Sequence, residues 1–188
     1  MLELPFISTK RLLLRLATGD DVPDIVEFFR ENQVYFAPWH PTPPNNYLTQ
    51  EFWQGQVEKN LQEFESDQSL RLFIFKNGSH KEIIGNVNFN GFLRGAAHFC
   101  YLGYNLAEAA QGKGYMSEAL PAAIEYAFKE LNIHRVMANY IPHNQRSGNL
   151  LKKLGFVVEG YAREYLLIDG KWQDHILTSY TNKSWYKG

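Results

Sequence analysis

Gln111-Gly112-Lys113-Gly114-Tyr115-Met116-Ser117-Glu118-Ala119-Leu120 is the stretch on which the fold turns. A short loop with two glycines runs straight into a helix. Before it lies a strand-like run, His98 to Leu106. After it, apolar residues fall at Met116, Ala119, Leu120, Ala123, Ile124, Ala127, Phe128 and Leu131, the spacing of one helix face. A glycine loop that opens a helix leaves several backbone N–H groups unpaired and pointing one way. Such an end attracts phosphate through those amides and the positive end of the helix dipole. An ordinary strand-to-helix turn is the alternative reading of the loop taken alone.

The spacing excludes the common nucleotide motifs. G-x-G-x-x-G needs glycine at position 117, which is Ser117, and a P-loop needs Ser or Thr after Gly112-Lys113, where Gly114 stands. What fits is Gln-x-x-Gly-x-(Gly/Ala), with Met116 in the last slot.

Working outward, the N-terminal half reads as Arg11 to Leu16, a strand, and a helix capped by Asp20 or Asp21 with Pro23 in its first turn, ending near Glu31. Phe36 to Tyr47 is a Pro-rich aromatic loop, read as structural ahead of a binding lid. A second helix spans Thr49 to about Glu65. Leu70 to Phe75 and Glu82 to Phe92 are strands joined through Asn77-Gly78, and Phe99 to Leu106 completes an antiparallel meander. Pro121 implies a local kink in the helix after the glycine loop, or a start delayed towards Ser117.

His134 to Ile141 is the next strand. Asn144 caps a short helix to about Leu154, which Gly155 ends. Phe156 to Ile168 and Lys171 to Tyr180 are strands joined by the two-residue turn Asp169-Gly170. The order β-α-α-β-β-β-α-β-α-β-β predicts a mixed α/β (α+β) sheet with helices on both faces, in one domain spanning residues 1–188. No internal repeat or linker divides it.

Composition narrows the class. The chain has 188 residues, 45% of them apolar, enough for a sizeable core. Net charge is −1, which argues against a broad grip on nucleic acid or on an anionic membrane. There is one cysteine, Cys100, so no internal disulfide forms. No basic-then-apolar leader pattern and no run long enough to span a bilayer is present, so a cytoplasmic protein is expected. Histidines and carboxylates show no metal-ligand spacing. His98 beside Cys100 is read as an edge histidine near a core cysteine rather than a nucleophilic pair.

A second motif follows the loop in order: Asn144-Gln145-Arg146-Ser147, then Leu150-Leu151-Lys152-Lys153-Leu154-Gly155-Phe156. Together the two motifs resemble those of the GNAT superfamily of N-acetyltransferases. Ser-Thr-Lys-Arg-Leu-Leu-Leu-Arg-Leu at 8–16 is similar to the opening strand of its ribosomal-protein acetylating subgroup. Cys100 to Tyr104, Met137 to Asn144, Glu159 to Tyr161 and Tyr165 to Gly170 resemble the RimJ/RimL type, bacterial enzymes that acetylate ribosomal-protein N-termini.

The resemblance implies acetyl-CoA as cosubstrate and the α-amine of a protein N-terminus as acceptor, an alanine on a small-subunit ribosomal protein. It implies a sheet splayed between its fourth and fifth strands. The pantetheine arm of coenzyme A would lie in the gap against Tyr104, Asn105 and Leu106. The Leu106 backbone N–H would face the thioester oxygen. Gln111, Gly112, Lys113, Gly114, Tyr115 and Met116 would hold the pyrophosphate, with Asn144 and Ser147 beside the arm and Ser147 donating to the sulfur. Some relatives place a Glu and a Tyr where Asn139 and Leu151 stand, so that acid and base pair does not carry over. The expected assembly is a monomer or homodimer, without metal. Acetylation of a small amine, and acyl-CoA binding without catalysis, are the alternatives.

Proton demand favours the protein acceptor. An α-amine with pKa near 8 is roughly a tenth neutral at pH 7, against well under ~0.1% of a lysine side chain. A weak base suffices for the former.

Overall fold

The computed structural model describes residues 3–78 and 82–185. Eight strands form one sheet: β1 (Phe6–Ser8), β2 (Leu12–Arg15), β3 (Ser69–Lys76), β4 (Ile83–Leu93), β5 (Phe99–Leu106), β6 (Arg135–Tyr140), β7 (Val157–Ile168) and β8 (Lys171–Thr181). Their spatial order is β1-β2-β3-β4-β5-β6-β8-β7. Every pairing is antiparallel except β5 with β6. The helices are α1 (Val22–Glu31), α2 (Gln33–Phe36), α3 (Gln50–Glu65), α4 (Tyr115–Lys129) and α5 (Gln145–Lys153).

Alternation along the strands builds a core on each face. Leu12, Leu14, Leu70, Leu72 and Ile74 point to the side covered by α4. Leu13, Phe73 and Phe75 point to the other side, where α1 and α3 lie. α1 supplies Ile25, Val26, Phe28 and Phe29 there, and Trp53 from α3 stacks on Phe29 at 4.8 Å.

The expected elements form, with four differences. Phe6–Ser8 adds a short strand, so the fourth and fifth strands of the sequence reading are β5 and β6. Asp21 stands at the N-cap of α1 but its side chain does not cap that helix. It turns back to accept from the Arg15 guanidinium at 2.7 Å and from the Thr18 N–H at 2.7 Å. A cation close at hand outcompetes the helix amides for the carboxylate. The start of the 36–47 loop is helical: α2 runs into a 3-10 turn over Ala37–Trp39. Finally, α4 starts at Tyr115 and continues through Pro121, so its start is not delayed to Ser117.

Three local predictions hold in detail. Asn144 caps α5 by accepting from Ser147 N–H. Gly155, at φ +89°, closes α5: its N–H bonds Lys152 O while Phe156 N–H bonds Leu151 O. Asp169 and Gly170, at φ +47° and +71°, make the tight turn between β7 and β8. The Asn77-Gly78 connection runs into residues 79–81, which lie outside the described residues.

Candidate acyl-transfer site

β5 and β6 pair only at Phe99–Arg135, Cys100–Val136 and Tyr101–Met137. Beyond that point β5 stays bonded to β4 as far as Leu106, and β6 stays bonded to β8 as far as Tyr140. The two neighbours therefore part while each keeps its outer partner. α5 lies against β6, and its Gly148 sits on the Tyr140 ring, where an added Cβ would be 2.7 Å from Cε2.

The parting exposes one edge of β5. Ala107 N–H bonds Ile84 O across to β4. By strand alternation the backbone groups of Asn105 also face β4, whereas those of Tyr104 and Leu106 face the gap. Packing agrees, since a Cβ on Gly85 of β4 would run into the Asn105 carbonyl. The Leu106 carbonyl accepts from Gln111 Nε2 at 2.9 Å, which ties the glycine loop to the strand end.

Gly112 and Gly114 take φ +73° and +76°, and nothing crowds a Cβ at Gly112, so the left-handed backbone is what calls for glycine there. The first bond within α4 runs from Glu118 N–H to Gly114 O. The N–H groups of Gly114 to Ser117 thus have no carbonyl one turn back. Arg11 braces this loop from β2's leading end: its Nη1 donates to Lys113 O at 2.9 Å and its Nε to Glu118 at 2.6 Å. Burial raises Glu118, but bonds from Thr9 and Arg11 outweigh it and keep the carboxyl below its ordinary pKa.

A cleft of about 1080 Å³ occupies the gap. Tyr104, Asn105, Leu106, Gln111, Gly112, Gly114, Tyr115, Met116, Asn144 and Ser147 all line it. Lys113 does not: its Nζ folds back onto Ala109 O. Ser147 Oγ is 2.7 Å from the Tyr104 hydroxyl. Burial pushes Tyr104 up to about 12, against the bond from Ser147, so the phenol stays protonated across the neutral range. The cleft thus holds free backbone donors at both ends of an extended slot, and a hydroxyl pair between them.

The chain belongs to the GNAT acetyltransferase family. The family model, described as an acetyltransferase (GNAT) domain, matches residues 11–157. The chain is 44% identical over 182 residues to the [ribosomal protein uS5]-alanine N-acetyltransferase of Escherichia coli, covering 97% of this chain and 93% of that one. A crystal structure of ribosomal-protein-S5-alanine acetyltransferase from Vibrio fischeri superposes with TM-score 0.92 at 35% identity, over 97% of this chain and 100% of that one. Mycobacterium smegmatis RimJ, solved with CoA-disulfide, shares the fold at TM-score 0.87 and 22% identity, over 98% and 90% of the two chains.

Within this GNAT fold, Leu151 is buried in the core and Asn139 is tied into the sheet, accepting from Thr178 N–H at 3.3 Å. Cys100 is fully buried, and burial pushes its thiol up to about 12, which rules out a His98–Cys100 nucleophile. No helix among the described residues is long and apolar enough to cross a membrane.

Three features escaped sequence reading. The Tyr104 side chain meets Ser147 across 43 residues of chain. The segment 35–40 reaches over the cleft, with Arg146 Nη1 donating to the Tyr35 hydroxyl at 3.0 Å and Trp39 against the His143 ring at 5.4 Å. His40 Nε2 lies 2.6 Å from Asn105 Oδ1. The density of aromatics between Tyr35 and Tyr47 was the one available signal, and it did not say which side of the sheet they would cover.

Proposed function

We propose that this protein transfers the acetyl group of acetyl-CoA to the N-terminal α-amine of alanine on ribosomal protein uS5, in the cytoplasm where ribosomal proteins are made. The observation that carries this reading is the 44% identity to the Escherichia coli uS5-alanine enzyme over 97% of the chain. The cleft supports it through donors and shape.

The open edge of β5 at Tyr104 and Leu106 would bond the pantetheine arm, and the amides of residues 112–117 would seat the pyrophosphate. Arg146 adds positive charge to the cleft wall. The Leu106 N–H donates to the thioester oxygen as negative charge develops there. The Tyr104–Ser147 pair supplies a proton to the departing sulfur, one hydroxyl donating while the other backs it. The amine approaches from the face that carries Asn105.

Thiol release on mixing the enzyme with acetyl-CoA and peptides carrying the first residues of uS5 tests the reading. Turnover is expected with N-terminal alanine and none with the same peptide blocked at its N-terminus. Turnover of a free polyamine alongside silence on every N-terminal peptide would overturn it.

A further inference from the structure

The cleft as described has a group to protonate the leaving sulfur but none to relieve the amine of its proton. The carboxylate that some relatives carry on β6 is Asn139 here, and an amide does not take a proton at neutral pH. The residue the structure offers instead comes from a different element.

Along β5 the side chains of Leu102 and Leu106 enter the α4-side core, with Tyr104 packed against it. Asn105 therefore projects from the opposite face, next to Leu106, whose N–H faces the gap. Its register partner on β4 is Asn86, which is buried. Asn86 Oδ1 accepts from Asn105 Nδ2 at 3.1 Å and from Asn88 Nδ2 at 3.2 Å. This chain of amides turns Asn105 Oδ1 outward, and it meets His40 Nε2 at 2.6 Å. A carbonyl oxygen only accepts, so Nε2 carries the hydrogen. The lone pair is then on Nδ1. His40 is held from behind as well: its carbonyl accepts from Asp169 N–H at 3.0 Å in the β7–β8 turn, and its ring rests 5.6 Å from that of Phe36.

We infer that His40 is the catalytic residue that takes the proton of the acceptor amine, through an Nδ1 lone pair fixed by the Asn88–Asn86–Asn105 amide chain beside Leu106. The inference rests on the acetyl-transfer reading above and goes beyond it in assigning the base.

The proton balance is complete. An α-ammonium loses two protons on becoming an amide. His40 Nδ1 takes the first before the N–C bond forms, because an ammonium has no lone pair to attack with, and the imidazolium gives it to solvent after turnover. The other ends on the coenzyme A sulfur as the C–S bond breaks, relayed by Tyr104 and Ser147. No further reactant is needed.

The ionisation state suits the task. Burial lowers the His40 pKa below its ordinary value, with the Asn105 bond opposing, so the ring is neutral at pH 7. The groups in contact with it are Phe36 from its own segment, the uncharged Asn105 from β5, and Asp169 in the β7–β8 turn, through its backbone N–H.

The test is the pH profile of kcat from about pH 5 to 9, at saturating acetyl-CoA and saturating Ala-initiated peptide. The wild-type rate should rise through a pKa below 6.5 and then level. His40→Gln keeps a donor for Asn105 but has no basic lone pair. It should lose about 100-fold in kcat at pH 7, keep its KM for acetyl-CoA, and regain rate as pH approaches the amine's own pKa near 8. Asn105→Asp should move the wild-type limb upward by about one unit, since a carboxylate stabilises the imidazolium. A His40→Gln rate within about twofold of wild type, or a loss of equal size at every pH, would overturn the assignment.

Imidazole nitrogen NMR of the free protein gives a reading independent of turnover: the Nε2–H form is expected, and an Nδ1–H form sinks the inference. If wild-type enzyme ignores the peptide, the acceptor reading fails while NMR still decides the base. The same kinetic series then runs on whichever primary amine is acetylated.

Discussion

Tyr104→Phe removes one oxygen and leaves the ring in place against the α4-side core. That oxygen is 2.7 Å from Ser147 Oγ, a length typical of a well-formed O–H···O bond. When the sulfur departs as thiolate, the bond from this pair becomes charge-assisted, a class worth about 1.5–3 kcal/mol. The loss is confined to the transition state, so kcat should fall by about 10- to 100-fold while the KM for acetyl-CoA moves by less than about threefold. Because burial holds the phenol up to about 12, it is protonated throughout the neutral range, and the deficit should be flat between about pH 6 and 9. Ser147→Ala breaks the same relay from its other end. The double variant should therefore be no slower than about twofold below the worse single one, as expected of groups that act as a unit. Continuous thiol detection measures all three. Losses that multiply, or a Tyr104→Phe enzyme with wild-type kcat, would refute the relay.

Gly114→Asp puts a side chain on a backbone at φ +76°, its Cβ 3.6 Å from Arg11 Nη2 and its negative charge next to the free amides. Coenzyme A affinity measured by calorimetry should drop by more than tenfold, with the fold intact by circular dichroism. Gly148→Ala drives a methyl into the Tyr140 ring at 2.7 Å; overpacking of this kind costs about 1–3 kcal/mol, or a Tm lower by roughly 2–4 °C per kcal/mol. Asp21 carries pH information: burial would raise it, but the bonds from Arg15 and Thr18 prevail and hold it below its ordinary pKa. Its contribution is then complete above about pH 4 and fades as pH falls through the folded-state value. Asp21→Asn should cost about 3 kcal/mol in urea denaturation at pH 7, and that gap should narrow towards pH 3.

What the sequence made legible is what depends on short-range geometry. Glycines at 112 and 114 announce left-handed backbone. Asn144 three residues before Ser147 announces a cap, and Asp169-Gly170 announces a tight turn. Each is settled within four residues of chain, where steric rules are strong. Asp21 shows where that locality ends. Its position suits a helix cap, yet Arg15, six residues away on a strand, claims it, and nothing in the spacing reveals that β2 points the guanidinium that way. The Tyr104–Ser147 and His40–Asn105 contacts span 43 and 65 residues. They exist because β5 and β6 part, which decides what fills the wedge, and because 35–40 is drawn over it by Arg146 and His143. The sequence pattern singles out Tyr104, Asn105 and Ser147, but it neither joins the first pair nor marks His40.

The acceptor's chemistry explains why the amide at Asn139 is tolerable. A lysine side chain at pH 7 needs about 3.4 units of help to shed its proton, whereas an α-amine needs about one. The former calls for a strong base pressed against the nucleophile, and a carboxylate on β6 would meet that need at the cost of burying a charge. Here Asn139 instead accepts from Thr178 N–H and donates to the Tyr165 hydroxyl, tying β6 to its neighbours without a buried charge. A neutral imidazole whose pKa burial has lowered is a weak base, and for an α-amine a weak base is sufficient. It also releases its proton readily to water near pH 7, where a carboxylic acid raised by burial would be slower to reset. Placing the base on the 35–40 segment has a structural consequence. That segment is held by Arg146 and the β7–β8 turn as well as by Asn105 of β5, so the base is in place when the cleft is covered. Weakening the cover, by Tyr35→Phe at the Arg146 contact, should therefore lower kcat in the same pH-dependent way as losing His40, only less. A Tyr35→Phe enzyme slowed equally at every pH would show that the cover serves coenzyme binding alone.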